Sequence, residues 1–279
     1  MASLEIYAIN IVANPHPRGI YEHILREASR RGARARGSDY AKLTKPADEG
    51  NGIFTGRILV WTEIDMEGKW LDVLSEKDLP PDIRRKINIP ENAKPNYRTF
   101  WYCFDEHKHT FYYEARNEFS QHLGPTTARR ILANLTSRDG PRGLAVDVDI
   151  TIVPDEKTVG RILRSARLQR LHIRLTRPNP DDFEESKRRI LRELQANHAS
   201  RQDTHLIKAP GETRLTPTQP IQVLAEVAAE NGFVEGVIEE DGHRVRVSTR
   251  ETPRKIVLQA DERESVIERM KAYVRRLRR

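Results

Sequence analysis

Residues 4–12 pack apolar and polar side chains in an order no surface helix shows. Their β-branched and aromatic content predicts a partly buried strand that stops at Asn14-Pro15-His16-Pro17. The period then changes. Ile20, Tyr21, Ile24, Leu25 and Ala28 recur at helical spacing with Glu22, Arg26, Arg30 and Arg31 largely opposite, which predicts an amphipathic helix broken at Gly32. Ile58, Val60 and Thr62 alternate with Leu59, Trp61 and Glu63 in a second strand, and a Pro-rich connector follows over 79–95. The runs 97–104 and 110–115 are aromatic and flank the polar turn Asp105-Glu106-His107-Lys108-His109, as expected of a hairpin with a longer loop. A helix over 126–135 turns Ala128, Ile131, Leu132 and Leu135 inward and Arg129 and Arg130 outward. It ends at Ser137-Arg138-Asp139-Gly140-Pro141.

In the second half Val146, Val148, Ile150 and Ile152 alternate with Asp147, Asp149 and Thr151, a strand with one wet face. Val159, Ile162, Leu163 and Ala166 mark a short helix, and Leu171, Ile173 and Leu175 another strand, so the order is strand, helix, strand. Asp181 and Asp182 are placed to cap a helix carrying Phe183, Ile190, Leu191 and Leu194. A helix through Ile221, Leu224, Ala225 and Ala228 stops at Asn231-Gly232. The runs 233–238, 244–249 and 255–258 then read as a three-strand meander turning first at Asp241-Gly242. A last helix carries Val266, Ile267, Met270, Tyr273, Val274 and Leu277. The pattern predicts an α+β protein of two mixed lobes, with antiparallel-rich sheets and flanking amphipathic helices. Residues 1–138 form the lobe with the aromatic hairpin, and 139–279 the lobe with the basic terminal helix.

Charge sharpens this picture. With 48 basic and 41 acidic residues the net charge is only +7, so any strong positive field must come from clustering. Arg30, Arg31, Arg34 and Arg36 read as a flexible basic loop. Lys187, Arg188, Arg189 and Arg192 crowd one helix, and Arg275, Arg276, Arg278 and Arg279 end the chain. A guanidinium is always charged and offers phosphate two parallel donors, so the expected partner is nucleic acid, RNA or DNA. The expected binding surface is Arg30, Arg31, Arg34, Arg36, Arg188, Arg189, Arg192, Arg275 and Arg276 converging in space. The competing reading is an ordinary solvated face whose arginines pair with Glu184, Glu185, Glu262, Glu264 and Glu268.

Candidate chemistry is sparser. Asp147 and Asp149 share a strand face with Glu156 just beyond, an acidic set of the kind that holds Mg²⁺ in nucleases, but no lysine or histidine stands at a recognisable distance to position water. His107 and His109, two apart, with Glu114 on the return strand, are the most metal-like group; a solvated turn explains them as well. Exposed hairpin rings would stack bases, and buried ones would build core. Cys103, the single cysteine, excludes an internal disulfide and a paired-thiolate zinc site, and its aromatic strand marks it as core. Neither a phosphate-cradling Gly-Lys-Ser or Gly-Lys-Thr signature nor a nucleophile elbow is present, so no cofactor is expected and catalysis stays open. The alternatives to a nucleic-acid-binding protein are a metal-dependent nuclease and a protein-interaction subunit. The amino-terminal residues lack a basic segment followed by an apolar run and no stretch is long enough to span a bilayer, so the expected setting is cytoplasmic, without a membrane partner.

Ile6-Tyr7-Ala8-Ile9-Asn10-Ile11 with the following Pro-His-Pro, Thr55-Gly56-Arg57-Ile58, Pro95-Asn96-Tyr97 and Leu171-His172-Ile173 leading to Arg177-Pro178-Asn179-Pro180-Asp181-Asp182 together carry a resemblance. The chain is similar, over most of its length, to an uncharacterised bacterial family whose members often lie in phage-defence gene neighbourhoods. The resemblance implies an antiviral or mobile-element setting, with other defence-system proteins as potential partners, and carries over no catalytic residue.

Overall fold

Strand β1 (Leu4–Asn14) is the hub of the larger sheet in this computed structural model, which describes residues 3–137, 146–178, 185–259 and 264–278. Helix α1 (Ile20–Ala28) follows it, then β2 (Ala33–Arg36), β3 (Asp39–Leu43), β4 (Ala47–Asp48) and β5 (Ile53–Thr62). A two-stranded ribbon, β6 (Leu71–Asp72) with β7 (Lys77–Asp78), and the single-turn α2 (Pro81–Arg84) occupy the connector. The aromatic hairpin is β8 (Arg98–Asp105) and β9 (Thr110–Glu114), after which come α3 (Pro125–Leu135), β10 (Asp147–Ile152), α4 (Glu156–Leu163) and β11 (Leu168–Thr176). The remaining elements are α5 (Glu185–Ala196), β12 (Arg201–Ile207), α6 (Gln219–Glu230), β13 (Gly232–Glu240), β14 (His243–Ser248), β15 (Lys255–Leu258) and α7 (Val266–Leu277).

The larger sheet runs β10-β1-β9-β8-β5-β3-β2, with β15 also on β1 and β4 on β5, and it curls into a half-barrel. A smaller antiparallel sheet runs β12-β11-β13-β14. The α+β class is as the pattern predicts, and the connectivity differs from the expected lobes in three places. Strand β10 pairs with β1, from Ile9 opposite Ile152 to Asn14 opposite Asp147, while β11 belongs to the other sheet, so the strand-helix-strand order crosses between sheets. Strand β15 leaves the expected meander and pairs Leu4 with Leu258 and Tyr7 with Lys255 on β1. Helix α7 packs on the larger sheet as well. A cut at 138/139 therefore does not divide the two sheets. Local pattern names a strand but not its partner, because the pairing energy comes from distant residues.

The larger sheet is covered on both faces, and alternation along the hairpin decides which ring goes where. Phe100, Tyr102, Phe104, Phe111 and Tyr113 turn to the face carrying α1 and α3, against Ile20, Ile24, Leu25, Ile131 and Leu132. Cys103 and Tyr112 turn to the other face, with Leu4, Ile6, Met270 and Val274 of β1 and α7. Each large ring so enclosed stabilises the fold by roughly 2–3 kcal/mol. Gly56, opposite Tyr102, leaves the space this ring fills: a Cβ there would stand 2.6 Å from the Tyr102 hydroxyl. In the smaller sheet Leu168, Leu171, Ile173, Leu175, Val234 and Ile238 face α4, α5 and α6. Its other face is the polar one. Among the described residues no helix is long and apolar enough to cross a membrane.

Candidate nucleic-acid interface

The expected arginine surface is the first thing the structure rearranges. Arg34 and Arg36 do not lie in a flexible loop. They alternate with Ala33 and Ala35 along edge strand β2, alanines towards the core and arginines out, because small side chains suffice to fill the space over α3. Arg30 pairs with Glu27 at 2.7 Å, Arg31 donates to the Ser137 carbonyl at 3.2 Å and Arg34 to the Gly37 carbonyl at 2.6 Å. Arg30 and Arg31 follow α1 on one face of the larger sheet, while Arg275 and Arg276 ride on α7 on the opposite face. Arg188, Arg189 and Arg192 are exposed on α5, beneath the inner face of the smaller sheet. These nine residues do not line one continuous track. Lys187, on the same helix, is buried and bound to Glu230 at 2.7 Å.

A different set gathers on the outer face of the smaller sheet. Cross-strand pairing brings Arg170, His172, Arg174 and Thr176 of β11 opposite Ile207, His205, Asp203 and Arg201 of β12. On the other side stand Glu235, Val237 and Glu239 of β13, opposite Ser248, Arg246 and Arg244 of β14. Carboxylates are outnumbered and shared. Asp203 accepts from Arg174 Nε at 2.7 Å and lies 3.3 Å from Arg201 Nε, and Glu235 binds Arg246 at 2.7 Å and Arg250 at 3.2 Å. Burial works against the Asp203 carboxylate, but hydrogen bonds from Arg174 and His172 and the charges of Arg174 and Arg201 outweigh it and lower its pKa. Among the described residues Arg170 and Arg244 have no carboxylate partner. With Lys208, Gln169, Ile207 and Val237 they line a hollow of about 230 Å³.

One ring, with a guanidinium from each of two residues over it, stiffens this face. The Arg250 guanidinium lies 3.8 Å from the centre of the Phe233 ring and that of Arg174 5.2 Å away, stacking that holds the cations over the sheet. Helix α3 extends the cationic surface from the larger sheet. Burial first, then the nearby charges of Arg250 and Arg130, lower the Arg129 pKa. Of the hairpin rings expected to stack bases, only Tyr97 is widely exposed and Trp101 partly so, and Trp101 lies under the Arg57 guanidinium at 5.1 Å. The rest are core.

The acidic set separates. Asp147 and Asp149 line a cleft of about 470 Å³ between the sheets, with Asn14, Thr136, Ser137, Thr176, Arg177, Ser200 and Arg201. Enclosure by the cleft walls, and then Asp147, raise the Asp149 pKa against the pull of Arg201. Glu156 lies beyond the other end of β10, in the first turn of α4, and pairs with Arg254. The His107, His109 and Glu114 set is not assembled either. Residues 106–109 form a turn rather than extended strand, so the two-residue rule that would put both imidazoles on one face does not apply. His109, at φ 53°, is buried against His16 and Tyr21, while His107 is exposed. Glu114 is buried on β9 and accepts the Trp101 N–H at 3.0 Å. The Asp181 and Asp182 cap lies outside the described residues.

Sequence reading missed β12. Its alternation, Arg201, Asp203, His205 and Ile207 against Gln202, Thr204 and Leu206, has period two but almost no apolar side, so hydrophobic contrast was absent. On β11 the wet face with His172 and Arg174 was available from the alternation with Leu171, Ile173 and Leu175.

The architecture and this face define an antiparallel α+β protein that buries both faces of one sheet and presents an arginine-rich face of a second to solvent. The chain belongs to the family described as the domain of unknown function DUF4747, whose model matches residues 2–275. No curated protein matches it.

Proposed function

We propose that the protein binds nucleic acid through phosphate contacts on the outer face of the smaller sheet. The observation that carries this reading is the pair Arg170 and Arg244: two guanidiniums from different strands, with no carboxylate partner among the described residues, facing one hollow beside Lys208. A guanidinium fork fits phosphate as well as carboxylate, and a polymer of phosphates is the ligand that profits from several such cations in rows. Arg246, Arg250 and Arg129 extend the row towards the larger sheet. Phosphate contacts fix position and do not read sequence, so RNA, single-stranded DNA and duplex are all admitted. A bacterial anti-phage or mobile-element setting, with other defence proteins as partners, fits this reading on the strength of the sequence resemblance alone.

Fluorescence anisotropy titrations with labelled RNA, single-stranded DNA and duplex, repeated across salt concentrations, test it. Affinity should fall steeply with salt, and Arg170→Ala with Arg244→Ala should reduce the log–log slope by about 1.4–1.8, the loss of two phosphate contacts. No binding at low salt, or a slope unchanged in the double variant, ends the proposal. Retention of a neighbouring gene product without nucleic-acid binding would point instead to an interaction subunit.

Metal-dependent cleavage is the second reading, favoured by the placement of Asp147 and Asp149 in the cleft beside Arg177 and Arg201. The same titrations with Mg²⁺ or Mn²⁺, followed for cleavage, read it directly. Cuts lost in Asp147→Ala would establish it.

A further inference from the structure

We propose that His172, His205 and Asp203 form a binding site for a divalent transition metal, zinc foremost, on the outer face of the smaller sheet. His172 and His205 are a directly opposed cross-strand pair, and Asp203, two residues before His205, shares their face diagonally across from His172. One ligand atom from each of the three lies within 4.8 Å of the other two. His172 Nε2 is already 3.0 Å from Asp203 Oδ1. A tetrahedral zinc with bonds of ~2.0–2.2 Å sets its ligands about 3.3–3.5 Å apart, so the metal replaces the proton between these two atoms with little movement of either.

The third ligand requires one rotation. The two imidazoles are stacked, centroids 3.8 Å apart and planes 22° from parallel, so their in-plane lone pairs run side by side rather than converge. His205 is exposed on an edge strand and its ring can turn about Cβ–Cγ towards the Asp203 oxygen, while the His172 ring packs nearly perpendicular to Phe233, centroids 4.9 Å apart, and stays in place. Two nitrogens and one carboxylate oxygen select a borderline metal such as zinc over magnesium, which prefers an all-oxygen shell. Three protein ligands leave a coordination position for water or a phosphate oxygen.

Arg174 and Arg201 compete with the metal for Asp203, and this gives the site a diagnostic signature. Isothermal titration with Zn²⁺, and the visible ligand-field bands of Co²⁺, are measured on the full chain without nucleic acid, so the outcome does not depend on the phosphate reading. One equivalent should bind, His205→Ala and His172→Ala should each weaken binding by at least about tenfold, and Arg174→Gln should strengthen it by freeing the carboxylate. Circular dichroism on each variant reports folding. If His172→Ala fails to fold, His205→Ala on the exposed edge decides alone. Absence of stoichiometric binding, or equal affinity in His205→Ala and the parent chain, overturns the site.

Discussion

Arg278 grips the fully buried Asp105 carboxylate with two parallel hydrogen bonds, Nε to Oδ2 at 3.0 Å and Nη2 to Oδ1 at 2.6 Å. The same guanidinium donates to the carbonyls of Asn51 and Gly52, and Asp105 Oδ1 also accepts the His107 and Lys108 N–H groups. One arginine of the carboxy-terminal cluster thus locks α7 onto the β8–β9 turn. Removing it strands a buried charge, which costs roughly 3 kcal/mol. Urea unfolding of Arg278→Ala should show that loss, and Asp105→Asn in the same background should recover part of it.

Burial of Glu114 pushes its carboxyl up to about 7, against the Trp101 N–H that favours the ionised form. Its folded pKa exceeds the unfolded value of 4.5, so the folded state holds the extra proton between about pH 4.5 and 7. Stability from this group is present below that window and declines as pH rises through it. Glu114→Gln keeps the acceptor for Trp101 and removes the charge. Unfolding curves from pH 5 to pH 8 should show the variant gaining on the parent chain by on the order of 2–3 kcal/mol; parallel curves would contradict the assignment.

Gly232 opens β13 at φ 150°, and a Cβ there would meet the Arg174 carbonyl oxygen at 2.0 Å. Backbone cannot retreat as a side chain can. Gly232→Ala should destabilise by about 2–4 kcal/mol, combining strain and overpacking. Gly242→Ala, at φ 76° with open space around it, should cost about 1 kcal/mol. Similar thermal shifts for the two would refute this account.

The Cys103 thiol is buried between β8 and α7, and burial, followed by the charges of Asp105 and Glu49, pushes its pKa up to about 12. Its modification requires opening of that packing. Iodoacetamide should leave the native chain unlabelled over hours and label it fully in denaturant. Rapid native labelling would disprove the packing of α7.

Because Arg275 and Arg276 lie on α7, across the larger sheet from α1 and α3, they are not part of the face proposed for phosphate. Reversing both to glutamate should change nucleic-acid affinity by no more than about twofold at physiological salt, where the screening length is ~8 Å. A loss as large as that of Arg170→Ala with Arg244→Ala would move the binding surface to α7.

The α+β class, the aromatic hairpin, the inward residues of α3, Met270 and Val274 of α7 and the wet face of β11 were legible in the sequence, whereas Leu277 is exposed and Lys271 is buried against Glu49. Each rests on a local period: Ile131 with Leu135, or Leu171 with Ile173, states which way a side chain turns once the element forms. Composition likewise marked arginine as the abundant surface cation.

Tertiary structure alone decided which elements meet. Leu258 lies opposite Leu4, and Asp203 lies beside His172, through backbone pairing between segments whose sequences carry no record of each other's position. The clusters that looked basic in one dimension, such as Arg275 and Arg276, were brought together by neighbouring positions in the chain. Arg170 and Arg244 share a hollow because β11, β13 and β14 pair in register, and that pairing depends on apolar burial against α4, α5 and α6 on the opposite side of the same strands.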